Sequence, residues 1–442
     1  MKDWVTAVEA VAEVSRFVPQ SAYAGMQRAL QQEWAFVQRV VPNIEAFFKP
    51  LESSIQSKFF SELFGETVND PLRSWLSLPI KKGGASIPDP EAVCRTNFYA
   101  SSHECSHLIE ALGKVSTFNV VTHGNQMSEI RNWMKMEKLK AEDDWIDEHC
   151  NEADNETVRR IKYLKEDGVG TWLVAMPSFV CGTTLSPTEF RDEIRSRYGL
   201  AVLNAETHCD GCGVKFTPSH ALSCKMGGLI HMRHDESRDA IGVLASQGFT
   251  PSNVRDEPII NPIRVKEEGV TLTGKKQKLA SECSDDDDVK IIDKGDRGDL
   301  LIRGFYEKGT DLIMDFRICD INQPSYQIRK PSAILKCAET AKKKNLNACL
   351  EQRRHFCPFV VSCEEMLGRE ANIFMKRLSM RLAEKWKQPY SQTVSFVRTR
   401  FSIALVRAKN RCLRGSRVLT KRISNKIDWE DGAGLGLYST MQ

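Results

Sequence analysis

The chain has 442 residues, of which 41% are hydrophobic and 27% are charged, which is enough apolar material for two or three domains with their own cores. No run approaches the roughly 20 apolar residues that a membrane span needs, and the first residues lack the basic and apolar parts of a secretion signal. The composition therefore argues against a disordered or membrane-spanning chain. It predicts a soluble, intracellular protein whose fourteen cysteines are mostly reduced thiols.

The first 115 residues are predicted to be helical. Apolar residues recur at spacings of three and four residues in segments 21–41 and 44–65, which is typical of helices with one buried face. The sequence Asn69-Asp70-Pro71 ends this pattern, and the segment 78–93, with its glycines and prolines, predicts a connecting loop.

A helical connector is predicted over 116–204. Its segment 134–167 is strongly charged. The sequence AEDDW at 141–145 contains an Asp-Asp pair, but it lacks the apolar strand flanks of a polymerase pair and lies among helix formers, which indicates a solvated helix face. Ser186 is a favourable helix cap, and Pro187 after it suits the first turn of a helix.

A metal-binding pattern follows at 205–228. It places Cys209 and Cys212 on a tight turn, and His220 and Cys224 on a short following segment, with the spacing C-x2-C-x7-H-x3-C. Four thiolate and imidazole ligands so close in sequence suit tetrahedral Zn²⁺, and a closed four-ligand site is structural rather than catalytic. The alternative is a chance grouping in a cysteine-rich chain, which requires the CxxC pair and the His/Cys pair to coincide.

The next segment, 229–246, is predicted to be a helix with a cluster of charged residues. These are Arg233, His234, Asp235, Arg238 and Asp239. They form either a salt-bridged exposed face or a surface that offers a carboxylate to a metal ion and a guanidinium to a phosphate. His234 itself is interpreted as an ordinary histidine rather than a ligand.

Residues 251–298 are predominantly polar. They are predicted to form a mobile insertion with one short strand near 259–265. The sequence SDDDD at 284–288 lacks the glycine and the downstream glutamate of a calcium loop, so it favours a solvated linker.

The segment 297–318 alternates apolar and polar residues with the period of strands that have one buried face. The apolar positions are Leu300, Ile302, Leu312, Met314, Phe316 and Ile318. A loop centred on Glu307 predicts an antiparallel hairpin with these opposed pairs: Arg303 and Asp311, Leu301 and Ile313, and Asp299 and Asp315.

The opposed pair Asp299 and Asp315 suggests a metal site. Directly opposed Cβ atoms lie about 5 Å apart, so two carboxylates there repel each other unless a cation sits between them. A divalent metal ion is one such cation. In the alternative interpretation the hairpin face is solvated, and Asp315 pairs diagonally with Arg297 or Arg317.

Helices and a strand follow the hairpin. A helix is predicted from Pro331, the nearly all-apolar segment 357–363 suits an interior strand, and a further helix occupies 365–386. The elements together predict an α+β protein. It would consist of a helical N-terminal region, a zinc knuckle and a small mixed-sheet domain with flanking helices over 229–395.

The last region, 396–442, is predicted to be a basic helix and tail. From Arg398 to Lys426 there are ten lysines or arginines and no acid, interleaved with aromatic residues. This pattern favours a helix over 396–421 that contacts a phosphate backbone, because ordinary soluble helices mix both signs of charge. The predicted nucleic-acid contacts in the chain are Arg233, Arg238, Arg398, Arg400, Arg407, Lys409, Arg411 and Arg414.

Taken together, these stretches resemble the region that follows the polymerase in retrotransposons without long terminal repeats that carry a restriction-like endonuclease. Similarity to its helical thumb lies in EWAFVQRVVP at 33–42 and LPIKKGGASIPDP at 78–90. The cysteine and histidine spacing resembles the family's zinc knuckle, although the final gap there more often has four residues. Similarity to its PD-(D/E)xK nuclease core lies in Arg233–Asp235, Gly298-Asp299 and Asp315–Arg317.

The resemblance implies a DNA endonuclease that nicks a target and so supplies the primer for reverse transcription. Asp299 and Asp315 would bind catalytic Mg²⁺ or Mn²⁺, and Asp235 would support the ion or the attacking water. Arg317 occupies the family's lysine position but does not readily give up a proton. The site would therefore be completed by a lysine of the next helix, which is Lys342, Lys343 or Lys344.

The resemblance also implies DNA and the element's RNA as partners, with no membrane, no small-molecule substrate and a nuclear location in a eukaryotic host. No polymerase active site is recognisable in the sequence. The alternative is a catalytically inactive, zinc-containing remnant that binds nucleic acid. A helical scaffold without DNA binding is a third possibility.

Overall fold

The structure, a computed structural model, describes residues 1–266 and 289–418. Most of these residues are helical and a small mixed sheet lies in the second half, so the predicted α+β class is confirmed. The tetra-aspartate segment and the tail after residue 418 lie outside the described residues. Among the described residues, no helix combines the length and the apolar composition that a bilayer span requires.

The N-terminal half consists of helices. They are α1 (Lys2–Ser15), α2 (Pro19–Gly25), α3 (Gln31–Glu33), α4 (Ala35–Val40), α5 (Lys49–Ser54), α6 (Ser61–Phe64), α7 (Asp70–Ser77), α8 (Cys94–Leu112), α9 (Val120–Glu152), α10 (Asn155–Leu164) and α11 (Pro187–Arg197). The predicted helical segments are confirmed, with π-helical turns at 26–30 and 55–60 that the sequence did not predict. Ser186 forms a capping box with Glu189 at the start of α11, as its position predicted.

The second half mixes helices and strands. Its helices are α12 (Pro218–Ser223), α13 (Leu229–Phe249), α14 (Pro331–Lys342), α15 (Leu346–Glu351), α16 (Arg369–Trp386) and α17 (Tyr390–Arg414). Its strands are β1 (Val254–Asp256), β2 (Ile259–Lys266), β3 (Val289–Arg297), β4 (Leu300–Arg303), β5 (Asp311–Cys319) and β6 (His355–Ser362). One sheet has the order β1-β4-β5-β6, in which β5 and β6 are parallel, and β2 and β3 form a separate ribbon.

The predicted hairpin is formed by β4 and β5. Arg303 pairs with Asp311 and Leu301 with Ile313, so the predicted register is confirmed. Five of the six even-numbered apolar side chains are buried against residues of β6, α13, α16 and α17, and Ile318 is partly buried. Burying one such side chain contributes about 1.5 to 3 kcal/mol, so a register slip that exposed this row would be strongly unfavourable.

The region 251–298 contains more regular structure than its polar sequence suggested. A single strand near 259–265 was expected, whereas β1, β2 and β3 all lie in this region. The long helix expected from Pro331 is also divided, because a 3₁₀ turn at Lys343–Asn345 separates α14 from α15. β1 has only three residues and pairs with β4, which is distant in sequence, so its pattern is too short to be recognised.

A buried carboxylate joins the N-terminal helices to the sheet domain. Glu365, just after β6, accepts hydrogen bonds through Oε2 from the N–H groups of Gly170 at 2.8 Å and Thr171 at 3.1 Å. The hydroxyl of Ser402 in α17 donates to Oε1 of the same carboxylate. Glu365 therefore links three distant parts of the chain at one point.

This carboxylate predicts a pH dependence of stability. Burial raises the pKa of Glu365 to about 7, despite the opposing hydrogen bond from Ser402. Because an unfolded glutamate titrates near about 4.3, the folded chain keeps a proton that the unfolded chain releases. The free energy of unfolding should therefore fall as the pH rises from about 4.5 to about 7.

We expect Glu365→Gln to remove the part of this fall that Glu365 contributes, whereas its neighbour Glu364, whose pKa burial also raises to about 7, keeps its own part. Its amide can donate to Ser402 while its carbonyl accepts from both N–H groups, so the contacts of the protonated acid are kept. Between pH 5 and pH 8 the variant should gain about 2 to 3 kcal/mol relative to the wild type in urea denaturation. Glu351→Gln, on an exposed residue of α15, is the matched control. Stability curves for Glu365→Gln that run parallel to those of the wild type would contradict this.

Candidate functional site

The four predicted ligands of the knuckle come together. The Sγ atoms of Cys209 and Cys224 are 3.8 Å apart, those of Cys212 and Cys224 are 3.9 Å apart, and Cys212 Sγ is 3.3 Å from His220 Nε2. All four ligand atoms lie within 4.8 Å of one another. Ligands about 2.0 to 2.3 Å from Zn²⁺ at tetrahedral angles lie about 3.5 to 3.8 Å apart, so this group can hold such an ion.

Backbone contacts hold the ligands in place. The side chain of Thr217 accepts from the N–H of His220 and begins α12, which carries the histidine. Burial would raise the pKa of Cys209, but the N–H groups of Cys212 and Gly211 outweigh it and lower the pKa to about 6. Cys209 is therefore a thiolate at neutral pH, which is the form that binds metal.

The knuckle is fixed to the sheet domain. Ser219 Oγ donates to Asp320 Oδ2 at 2.8 Å, immediately after β5. On the other side, Asp210 Oδ2 accepts from Ser416 Oγ at 2.8 Å and from the N–H of Arg417 at 2.9 Å. The knuckle therefore lies between the end of β5 and the end of α17 rather than on a separate linker.

The opposed carboxylates lie beside one another at the start of β4. Asp299 lies in a bend just before β4, where its N–H donates to the carbonyl of Met314 at 2.8 Å and its Oδ2 accepts from the N–H of Phe316. Its negative charge acts on the carboxyl group of Asp315, although the strand pairs of β4 and β5 begin at Leu300 and Met314 and do not include the predicted pair of aspartates. Lys342 of α14 forms a hydrogen-bonded ion pair with Asp315. Asp315 is buried, whereas the side chain of Asp299 is 21% exposed, so the pair can be reached from solvent through Asp299.

The two carboxylates have opposite pKa shifts. Burial raises the pKa of Asp315, and the negative charge of Asp299 adds to the rise that Lys342 only partly offsets. Burial would also raise the pKa of Asp299, but its hydrogen bond and charge interaction with His234 outweigh it and lower the pKa. The negative charge of the pair is therefore held more firmly on Asp299.

His234 is part of this site, although the sequence interpretation assigned it no role. Its Nε2 is 3.4 Å from Asp299 Oδ2 and 3.2 Å from the carbonyl of Phe316, and its Nδ1 is 3.2 Å from Asp235 Oδ1. Burial lowers the pKa of His234, but these acceptors outweigh it and raise the pKa. Since both ring nitrogens face acceptors, the imidazolium fits this position best.

The other predicted site residues are more distant from the pair. The side chain of Asp235 is 52% exposed and connects to Asp299 through His234. Arg317 lies beside Cys319, where it opposes the rise that burial causes in the pKa of that thiol. Lys343 Nζ is 3.3 Å from Glu370 Oε1, so of the three successive lysines it is Lys342 that reaches the carboxylates.

The residues predicted to contact nucleic acid are held by protein groups. Arg233 is 4% exposed, with Nη1 3.5 Å from Cys363 Sγ, and Arg238 pairs with Asp239 at 2.8 Å. Those of α17 are held as follows: Arg398 by Asp167, Arg400 by the carbonyl of Cys181, Arg407 by the carbonyl of Thr184, Lys409 by Glu193, Arg411 by Glu236 and Arg414 by Asp192. The helix is thus not the open basic face that its sequence suggested.

The cluster of three cysteines and one histidine predicts that the chain binds Zn²⁺ and that loss of one ligand lowers its affinity for the ion. We expect one Zn²⁺ per chain, and Cys224→Ser should bind it more than about 100-fold more weakly, because losing even a supporting residue costs about 10- to 100-fold. Zinc content measured after dialysis against a competing chelator checks this. Cys181→Ser, which changes an exposed cysteine elsewhere, is the control. Equal zinc content in all three proteins would exclude this group as the zinc site.

Comparisons with known proteins give no assignment. No family model matches the chain, and no curated protein matches it significantly. The resemblance to retrotransposon proteins therefore stays a prediction, based on the order and spacing of motifs.

Proposed function

We propose that this protein is a metal-dependent DNA endonuclease of retrotransposon origin that nicks DNA at the site of Asp299, Asp315 and Lys342. The observation that carries the proposal is the closeness of two carboxylates, one in the bend before β4 and the other on β5, with a lysine ammonium bound to the second. Carboxylate oxygens are the ligands that Mg²⁺ and Mn²⁺ prefer, so the donor set fits either ion. The partial exposure of Asp299 gives a phosphate access to the pair.

Each residue of the site has a distinct part in this proposal. Asp299 and Asp315 would hold Mg²⁺ or Mn²⁺, which when bound polarises a phosphate and lowers the pKa of a coordinated water. Lys342 carries positive charge that can stabilise the charge developing on the phosphate. His234 fixes the direction of Asp299 and connects it to Asp235, which lies nearer to solvent.

The remaining regions would support binding rather than chemistry. Zn²⁺ at the knuckle would be structural, because all four of its ligands come from the protein. The helices of 1–115 would correspond to a polymerase thumb, with DNA and the element's RNA as partners and a nuclear location in a eukaryotic host. These assignments rest on the order of the motifs along the sequence.

A second candidate function is nucleic-acid binding without cleavage. The observation that favours it is the ion pair between Lys342 and Asp315, because it already neutralises the buried carboxylate without a metal ion. Arg317, in the position where the resemblance expects a lysine, lies beside Cys319. In this case the charged cluster would be a structural ion-pair network.

Plasmid nicking distinguishes the two functions. With Mg²⁺ or Mn²⁺ the wild-type chain should convert supercoiled plasmid to the nicked circle. Asp299→Asn and Asp315→Asn should each lower the rate on the order of 100-fold or more, because each removes charge that a preorganised site needs. Asp311→Asn is the matched control, since this aspartate lies on the same hairpin but pairs with Arg303 at 3.0 Å.

Each of the two functions has its own contradicting result. Nicking that persists in both asparagine variants would remove the assigned site from consideration. A wild-type chain that binds DNA but does not nick it with either metal ion, and that loses binding on Cys209→Ser, would favour the non-cleaving function.

A further inference from the structure

A set of exposed basic side chains lies on and beside α14, the helix that carries Lys342. We call it the α14 basic face, and its members are Arg329, Lys330, Lys336, Lys343, Lys344 and Arg353. The segment 329–353 contains seven lysines and arginines but only two acids. This excess of positive charge lies next to the carboxylate pair, which Lys342 contacts from the same helix.

The two acids of this segment do not neutralise the face. Glu339 is 7% exposed, and its Oε1 accepts from the N–H of Glu370 at 3.0 Å. Glu351 lies on α15, beyond the last lysine. Lys343 pairs with Glu370 at 3.3 Å, whereas the side chains of the other five members form no hydrogen bond or ion pair within the described part of the chain.

The helical phase separates the inner lysine from the outer ones. Ile334 and Ala338 are buried, and Lys342, one further turn along, points inward to Asp315. The exposed lysines lie on the other side of the helix. At 1.5 Å per residue the face extends about 20 Å from its first lysine to its last, or about six base pairs of duplex at 3.4 Å each.

A cleft beside the helix adds phosphate-binding groups. It has a volume of about 370 Å³ and lies between α14 and the start of α16. Lys336 and Lys343 line one side and Arg369 the other, while Ser332 and Thr340 contribute hydroxyl groups. Glu339 and Glu370 also line the cleft, but Glu339 accepts from the N–H of Glu370 and Glu370 pairs with Lys343. Cationic and hydroxyl donors are the groups that usually contact phosphate oxygens, and the positive end of the α16 dipole lies at the same place.

We propose that the α14 basic face binds the phosphate backbone of duplex DNA and so positions a strand beside the carboxylate pair. The inference rests on the proposed nuclease function for the choice of DNA as the ligand. It assigns to α14 the role that the sequence suggested for α17. The physical reason is that a cation already held by protein groups is less available to replace the counterions of a phosphate, whereas a solvated lysine can do so.

A charge-matched pair of triple variants tests this surface. The first is Lys330→Gln, Lys336→Gln and Lys344→Gln, and the second is Lys135→Gln, Lys138→Gln and Lys140→Gln on exposed positions of α9. Binding of the full chain to a 20-base-pair duplex is measured without divalent ions at several salt concentrations. All six positions are exposed, and thermal melting checks that both variants are folded.

The α14 variant should bind the duplex on the order of 100-fold more weakly at 0.1 M salt, with a slope of log affinity against log salt that is shallower by about 2 to 3. The α9 variant should change the slope by less than about 1. Equal losses in both variants would overturn the inference, because they would show a dependence on net charge alone. A loss confined to single-stranded RNA of the same length would overturn the assignment of duplex DNA.

The binding result is independent of cleavage. A wild-type chain that binds through α14 but never nicks plasmid would contradict the proposed nuclease function and leave this surface standing. Conversely, a chain that nicks plasmid and whose α14 variant binds the duplex like the wild type would overturn the surface and leave the nuclease function standing.

Discussion

The closeness of Asp299 and Asp315 is the constraint on which the candidate site in the sheet domain depends. Two unit charges about 5 Å apart repel by about 3 kcal/mol at an effective dielectric constant of 20, and in this chain the negative charge of Asp299 helps to raise the pKa of the buried Asp315. Two side chains of the protein reduce this repulsion, because Lys342 binds Asp315 and His234 contacts Asp299. A divalent ion at this site would have to compete with Lys342. The same geometry therefore describes both a stable fold and a candidate metal site.

A second consequence concerns how the chain distributes its positive charge. Helix α17 uses its basic side chains to join the two halves of the molecule, most clearly where Lys409 meets Glu193 of α11 at 3.1 Å with both side chains buried. Breaking one side of such a pair typically costs about 3 to 5 kcal/mol, so this helix is a structural connection. Within the described residues, exposed lysines of α14 that no protein group holds lie next to the carboxylates instead. In the proposed function, α14 would then serve both steps: its exposed lysines would bind DNA, and Lys342, which points inward, would contact the carboxylates.

Local patterns predicted much of this structure because they depend on neighbours in sequence. Alternation in 297–318 predicted the hairpin and its register, and the C-x2-C-x7-H-x3-C spacing predicted the ligand cluster that the structure brings together. Helical phase could also have predicted which of the three successive lysines points toward the carboxylates. Lys342 continues the buried spacing of Ile334 and Ala338, which distinguishes it from the two lysines that follow.

Long-range pairing was what the sequence could not predict. The acids that hold α17 are more than 150 residues away along the chain, so a run of ten cations without a nearby acid seemed unpaired. Arg233 shows the same limit, since its burial follows the phase of Leu229, Ser237 and Ile241 rather than its charge. The contacts of His234 with Asp299 and with the carbonyl of Phe316 depend on the packing of α13 beside β5, which is also a long-range feature.

Binding of Mn²⁺ tests the central claim most directly. Electron paramagnetic resonance of the wild-type chain titrated with Mn²⁺ should show one site per chain that Asp315→Asn weakens strongly and Asp311→Asn leaves unchanged. Removing the competing ammonium by Lys342→Met should leave the site intact or strengthen it. No bound Mn²⁺ in the wild type, or equal binding in the Asp315 variant, would show that the two carboxylates serve the fold alone.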